Sequence, residues 1–397
     1  MLGHPLWAGP KGSEKIVWGA NDYTELDFAG KRYKIFRPVG HDDSELWNYP
    51  LLEDDVRWRI PAMSHPSGDT SSDVAFSCMR YWLQECQDTH QLCRKDHNAG
   101  LPHRILRIES TTRLKLVENV QGNDKYACLS HRWGTGPHPL CLERSNLYHF
   151  KIGIPHSSLP ALFQDVQAAV WRLGIRYMWI DSLCIIQDDP DDWRREAASM
   201  AAVYENAYFT IAATGSDGCS DRLFKTMEPV ADGSPAMQIG HSGFYVSRSW
   251  QHPWRIHSRE AEHWQLFPLL SRGWVYQERL LSRRFIYFTT NEVMWECRES
   301  RRCECRFEER RFKKEPKPGI RDLSWTEAVE CYTLLSPSKS SDRLPAIAGI
   351  AKRHHSLALA KLEYPENRKG RALKVEDRLR APVGMTRKDG LIMPGKY

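Results

Sequence analysis

The apolar residues change period in an orderly way between Tyr126 and Ala213. Tyr126–Trp133 is a short apolar run closed by Gly134-Thr135-Gly136-Pro137, and it reads as a buried strand. Leu162, Phe163, Val166, Ala169, Val170 and Leu173 then recur at helical spacing. Ser158 is the expected N-cap of that helix, Pro160 fits its first turn and Gly174 ends it. Tyr177–Ile186 is nearly all apolar, as in a strand covered on both faces of a parallel sheet. The acidic groups of Asp188, Asp189, Asp191 and Asp192 open a helix that runs to about Asn206 and complement its dipole. Tyr208–Ala213 is the next strand. Alternating strands and helices predict an α/β fold, with a mostly parallel central sheet flanked by helices and right-handed crossovers.

Around this core the pattern predicts α+β additions. Ser71–Cys93 has apolar residues at 75, 76, 79, 82, 83 and 86, a helical spacing with Ser71, Ser72 or Asp73 to cap it. Arg104–Ile108 and Leu114–Val117 alternate as a hairpin. Met237–Val246 reads as a strand or hairpin and Arg272–Leu281 as a helix, with strands near Phe285–Thr289 and Glu292–Cys297. Glu299–Gly319 reads as a charged loop, and Leu323–Leu335 and Asp342–His354 as helices. The predicted divisions are an irregular arm over 1–70 with a short strand such as Arg32–Phe36, and a helix-and-hairpin lead-in over 71–120. The core follows over 121–297, then a charged loop and helical extension over 298–358, and a basic, loosely ordered tail over 359–397.

Composition narrows the setting. A chain of 397 residues, 41% hydrophobic, can bury a core. It has no run of about 18 apolar residues, so no membrane span is expected. The first residues lack an apolar signal core, and eleven cysteines is an odd number, so reduced thiols in a cytosolic or nuclear setting are expected. The net charge of +6 is concentrated in Arg298–Lys317 and after Lys361. That balance permits nucleic-acid contact without pointing to it, and no nucleic-acid partner is expected.

Polar residues gather where the predicted strands end, and open α/β sheets keep their sites at such ends. Ser130, His131, Arg132 and Trp133 follow the first strand, and Asp181, Ser182, Gln187 and Asp188 belong to the second. Neighbours on a strand face opposite ways, so Ser130 and His131 do not form a simple nucleophile–base pair. The alternative is that these groups satisfy loop backbone. Asp181 inside an apolar strand needs a partner, either an arginine, with Arg132 and Arg272 as candidates, or a cluster of backbone N–H groups, and it serves either a structural ion pair or catalysis. Cys184 reads as a buried apolar thiol. Trp193, Glu196 and Met200 share a helix face, where a carboxylate suits a general base or an acceptor for a ribose hydroxyl. The plainer role for Glu196 is a salt bridge to an arginine such as Arg279. Arg272, Trp274 and Glu278 lie in a segment that is polar for its place against the core, and they bind a ligand or make structural pairs. The candidate catalytic set is His131, Asp181, Ser182 and Glu196.

No metal is expected. Cys86-x3-His90-x2-Cys93 comes nearest to a zinc motif, but zinc needs a fourth ligand, with Cys297, Cys303 and Cys305 far along the chain. Packing cysteines and a capping histidine are the plainer reading. There is no GxxxxGK[ST], HExxH or GxSxG, which sets aside P-loop, zincin and hydrolase-elbow chemistry.

Several blocks, in order, carry a resemblance. They are Tyr126-Ala-Cys-Leu-Ser-His-Arg-Trp-Gly134, Leu159-Pro160 with Phe163 and Asp165, and Leu173-Gly-Ile-Arg-Tyr-Met-Trp-Ile-Asp-Ser-Leu-Cys-Ile-Ile-Gln-Asp188. Asp192-Trp193, Glu196, Met200, Tyr204, Asn206-Ala207, Arg272–Ser282, Met294–Cys297 and Asp342–Gly349 follow, and Trp82–Cys93 resembles the lead-in. Over about residues 75–350 the chain resembles the heterokaryon incompatibility (HET) domain proteins of filamentous fungi. The resemblance implies a fold distantly like Toll/interleukin-receptor domains. It also implies a cytoplasmic module of non-self recognition that triggers growth arrest or programmed cell death when activated by a protein partner or by self-association. It names no cofactor. The Toll-like analogy, with the polar strand ends and Glu196, gives an alternative: an enzyme that cleaves a nucleotide, with NAD as substrate. Leu359–Tyr397 departs from the family pattern, as in a chain that is truncated, alternatively spliced or given a replaced tail, which raises the third expectation of an inactive, truncated relative.

Overall fold

Tyr126–Ser130 is buried at all five positions because both its edges are paired. With strands numbered in chain order, this is β7. Tyr177–Trp179 (β9) runs parallel on one side and Phe209–Ala212 (β10) on the other, and Arg284–Phe288 (β13) lies parallel beyond β10. Outside this centre the pairing within this sheet is antiparallel. Val293–Cys297 (β14) and Arg301–Cys303 (β15) continue one side, and Arg104–Ser110 (β5), Arg113–Glu118 (β6) and Ile154–Pro155 (β8) the other. The order is β15-β14-β13-β10-β7-β9-β5-β6-β8. The class is α/β, but the mostly parallel sheet of the sequence reading is parallel only at its centre. The connections give the reason. Helices link the central strands, whereas β5–β6 and β13–β14 are joined by short turns, which permit only antiparallel pairing.

The computed structural model describes residues 66–94, 100–134, 140–230, 266–306, 323–336 and 340–363, with short segments between 17 and 63 and between 236 and 253. Its helices, in order, are α1 (Asp73–Thr89), α2 (Leu147–Ile152), α3 (Ala161–Arg172), α4 (Asp181–Cys184), α5 (Pro190–Asn206), α6 (Gly273–Leu281), α7 (Trp325–Thr333) and α8 (Pro345–Glu363). The chain divides into two compact units, Met1–Ala351 and Lys352–Tyr397. Of the second, the described part is the end of α8.

Local signals account for most elements. Ser72 caps α1 by accepting from Ala75 N, and α1 buries the six positions that the spacing singled out. Asp189 caps α5 by accepting from Asp191 N and Asp192 N, with Pro190 in the first turn. Gly174, at φ +80°, turns the chain out of α3 in the left-handed region that suits glycine.

Four expectations are corrected. The strand expected over Tyr177–Ile186 ends at Trp179. Leu183 N and Cys184 N both bond Ile180 O, so Asp181 and Ser182 sit in a helical turn. An apolar run does not distinguish a buried strand from a buried helical turn. Ser158 does not cap α3; its hydroxyl donates to Pro155 O within a 3-10 turn, and Pro160 holds the cap position. The charged loop after Glu299 contains β15, whereas 307–319 lies outside the described residues. The N-terminal arm holds the strand expected at Arg32–Phe36, within Lys31–Pro38, and more strands than the one or two expected. Val17–Trp18 (β1), Glu25–Phe28 (β2), Lys31–Pro38 (β3) and Ala62–Met63 (β4) join Ala236–Gln238 (β11) and Tyr245–Arg248 (β12) in a second sheet. The tail after Glu363 lies outside the described residues.

A buried ion pair ties α6 to β14. Arg279 Nε and Nη2 donate to Glu296 Oε1 and Oε2 at 3.1 and 2.8 Å, and both side chains are almost fully buried. Replacing one partner of such a pair strands a charge in the interior, which costs about 3–5 kcal/mol. Glu296→Gln is therefore expected to lower the unfolding free energy by roughly that amount in denaturant titration. Arg279→Met combined with Glu296→Met is expected to recover most of the loss.

Candidate functional site

The end of β7 is where the polar candidates converge. Strand alternation turns Ser130 and His131 to opposite faces. The Ser130 hydroxyl lies beside the Glu278 carboxyl of α6, near Tyr204 of α5, whose hydroxyl donates to Leu129 O. The His131 ring packs edge-on against Phe163 of α3, with centroids 5.2 Å apart. Both residues are buried. Burial pushes the His131 pKa down to about 4; the Asp181 charge opposes this and Arg272 adds to it, so the ring is neutral at neutral pH.

Asp181 does not pair with an arginine. Its Oδ2 accepts from the Trp133 indole at 2.9 Å and its Oδ1 from Ser182 N at 2.7 Å. His131 Nδ1 stands 3.8 Å away, too far for a hydrogen bond. Arg272 donates instead to His131 O at 2.7 Å, and Arg132 reaches Asp217 at 3.4 Å. The reason is exposure. In a helical turn rather than inside a strand, the Asp181 side chain stays 27% accessible, so water can solvate its charge without a counter-ion.

Glu278 is the buried carboxyl of the site. Burial pushes its pKa up to about 7, against the lowering effect of the Ser130 hydroxyl. Although these two groups are neighbours, Ser130 Oγ and Glu278 Oε2 have no hydrogen-bond partner of proper geometry, nor do His131 Nε2 and Ser182 Oγ. Each unmet buried polar atom costs about 1–3 kcal/mol, and such groups are rare outside working sites. Arg132, Trp133, Asp181 and Arg272 form a half-exposed margin beside these buried groups. At that margin Gly134 and Gly218 meet back to back: a Cβ on Gly218 would lie 2.8 Å from Gly134 Cα. A carboxyl that holds a proton near neutral pH beside a hydroxyl is equipped for acid–base work.

Other sequence candidates lie elsewhere. Glu196 Oε1 is shared by Arg104 Nη2 and His103 Nδ1, each at 3.2 Å, and does not meet Arg279. Glu196 lines a cavity of about 420 Å³ with His103 and Tyr126, which none of Ser130, His131, Asp181, Ser182 or Glu278 lines. Asp192, expected only to complement the helix dipole, turns inward to Arg104 and Ile186 N. Burial pushes the Asp192 carboxyl up, but these partners outweigh it and hold it below the ordinary range. Trp193 packs on the main core. Gln187 bonds Ile185 O, Asp188 accepts from Arg144 N, and Trp274 donates to Asp342. Tyr204, beside Glu278, was missed as a site-organising residue, and Arg104 as the partner of Asp192 and Glu196. The signal for Arg104 was a charge directly before the apolar pair Ile105-Leu106.

Cys86, His90 and Cys93 meet Cys297, their ligand atoms all lying within 4.8 Å of one another. His90 caps α1 through its backbone, as expected, and its ring also stands 3.2 Å from Cys297 Sγ. Cys303 and Cys305 go instead to His252 and Glu292.

The Glu278 pKa gives a pH prediction. It rises from 4.5 to about 7 in the fold, so the folded chain keeps a proton that the unfolded chain releases between these values. Glu278 therefore destabilises the fold progressively as pH rises through that window, by roughly 3 kcal/mol at its upper end. Unfolding free energies of Glu278→Gln and the parent chain are expected to agree near the lower end. The variant is expected to gain by about that amount near pH 8. A difference that does not change with pH would contradict the assignment.

Residues 126–278 match the family model described as Heterokaryon incompatibility protein (HET). No curated protein and no solved structure matches the chain. Among the described residues no helix is long and apolar enough to cross a membrane. The matched span begins at Tyr126, the first residue of β7, and ends at Glu278, so it holds every member of the strand-end cluster. The chain therefore carries a heterokaryon incompatibility (HET) domain, and the cluster at the end of β7 lies within it.

Proposed function

We propose that this chain is a fungal non-self recognition module of the cytoplasm, activated by a protein partner or by self-association, and that the activated module arrests growth or triggers programmed cell death. The observation that carries this reading is the family match over 126–278, which encloses the strand-end cluster. The cluster supplies the means: groups left unmet in the interior, with Asp181, Trp133 and Arg272 at a half-exposed margin where a ligand or partner can reach them. Expression of the chain in a filamentous fungus is expected to slow colony growth. Asp181→Ala and Glu278→Gln variants that remain folded are expected to relieve the arrest. Unimpaired growth at high protein level would contradict the proposal.

A second reading is favoured by the charge state of Glu278. A protonated carboxyl near neutral pH, with an arginine to hold phosphate and a carboxylate for a ribose hydroxyl, suits hydrolysis of NAD by water to nicotinamide and ADP-ribose. In this reading the acid–base group is Glu278; Glu196 is engaged by Arg104 and His103. Nicotinamide release from NAD is expected for the assembled chain and is expected to be lost in Glu278→Gln. No turnover by the assembled chain would remove this reading and leave the first intact.

A further inference from the structure

We propose that Cys86, His90, Cys93 and Cys297 hold a structural zinc ion that fastens α1 to the β13–β14 part of the sheet. Cys86 and His90 stand one helical turn apart at the end of α1, Cys93 follows in the next loop, and Cys297 closes β14. Three sulfurs and one imidazole nitrogen within 4.8 Å of one another form a complete tetrahedral set. With metal–ligand distances of about 2.0–2.3 Å, neighbouring ligand atoms of a zinc tetrahedron lie roughly 3.5 Å apart. Soft thiolates select zinc over calcium or magnesium, and four protein ligands leave no open position, which marks a structural rather than a catalytic site.

Arg284 gives an independent argument. It is buried, and a guanidinium keeps its charge in a protein. Its Nε donates to Cys86 Sγ at 3.1 Å, while its other nitrogens donate to Tyr208 O and Cys93 O. Among the described residues it makes no ion pair with a carboxylate. Zinc bound by three thiolates carries a net charge of about −1, which is the counter-charge that Arg284 lacks. Ser300 N and the Ser300 hydroxyl lie 3.3 Å from Cys297 Sγ, as donors to a metal-bound thiolate do. A disulfide between two of the cysteines would be neutral and would leave Arg284 without an anion.

The second group, His252, Glu292, Cys303 and Cys305, differs. Both Glu292 oxygens are already engaged, by Trp250 Nε1 at 2.6 Å and Cys305 N at 2.8 Å. The test therefore compares variants of the first group, so that any ion at the second cancels.

Metal content per chain is measured by atomic emission on the purified full chain and on Cys297→Ser. The parent is expected to hold one more zinc than the variant. Cobalt in place of zinc is expected to give the visible absorption of a tetrahedral thiolate complex, lost in Cys297→Ser. Because Cys297→Ser can fail to fold, His90→Cys is measured alongside it. That variant is expected to keep the metal and to strengthen the sulfur-to-cobalt charge-transfer band. Equal zinc in the parent and Cys297→Ser, no change in the cobalt spectrum of His90→Cys, or a disulfide among Cys86, Cys93 and Cys297 would each overturn the proposal.

Discussion

The pairing of β7 on both edges is the constraint from which the rest follows. A strand hydrogen-bonded to β9 and β10 satisfies its backbone and can be buried at every position. Burial of the strand fixes where its last residues must lie. Ser130 and His131 are carried into the interior by the ladder, one toward α5 and α6 and the other toward α3, before any ligand or partner is considered. The polar interior at this end of the sheet is thus a product of backbone geometry, and the surrounding helices adapt to it.

Charge placement separates structural groups from the candidate site. Arg279 meets Glu296 through two hydrogen bonds, and Arg104 bridges Asp192 and Glu196. These groups are buried, charged and matched. Ser130, His131, Ser182 and Glu278 are buried and each leaves a polar atom unmet. Four such atoms at about 1–3 kcal/mol each approach the net stability of an ordinary domain, about 5–15 kcal/mol. Single unmet atoms occur elsewhere too, as at Arg107 Nε and Trp179 Nε1, but at the end of β7 four of them gather.

Periodicity made the elements legible where a single face is buried. The spacing of Ala75, Phe76, Met79, Trp82, Leu83 and Cys86 identified the buried face of α1, and alternation identified β5 and β6. It failed over Tyr177–Ile186, where everything is apolar and the change from strand to helical turn leaves no mark on the pattern. That error carried into the chemistry. A strand would have buried Asp181 and called for an arginine or a cluster of backbone N–H groups, whereas the turn exposes it and leaves it to Trp133 and Ser182 N. Most members of the strand-end cluster were legible as types of residue. Pairings outside the cluster were less legible: Arg104–Glu196 was not foreseen, and Cys297 was one of three candidates to join Cys86, because the order of strands in the sheet brings these residues together. No local spacing encodes that order.

The strand order also separates what is recognised from what folds. Residues 126–278 contain β7, β9 and β10, but β9 borrows its outer neighbour from β5, upstream of the span, and β10 borrows β13 from downstream. Cut at those bounds, the piece would carry two unpaired edges, the kind that recruit strands from other chains. β8 would be separated from β6, its partner. A fragment meant to retain the intact sheet has to start by Arg104 and continue through Cys303, whatever residues define its family.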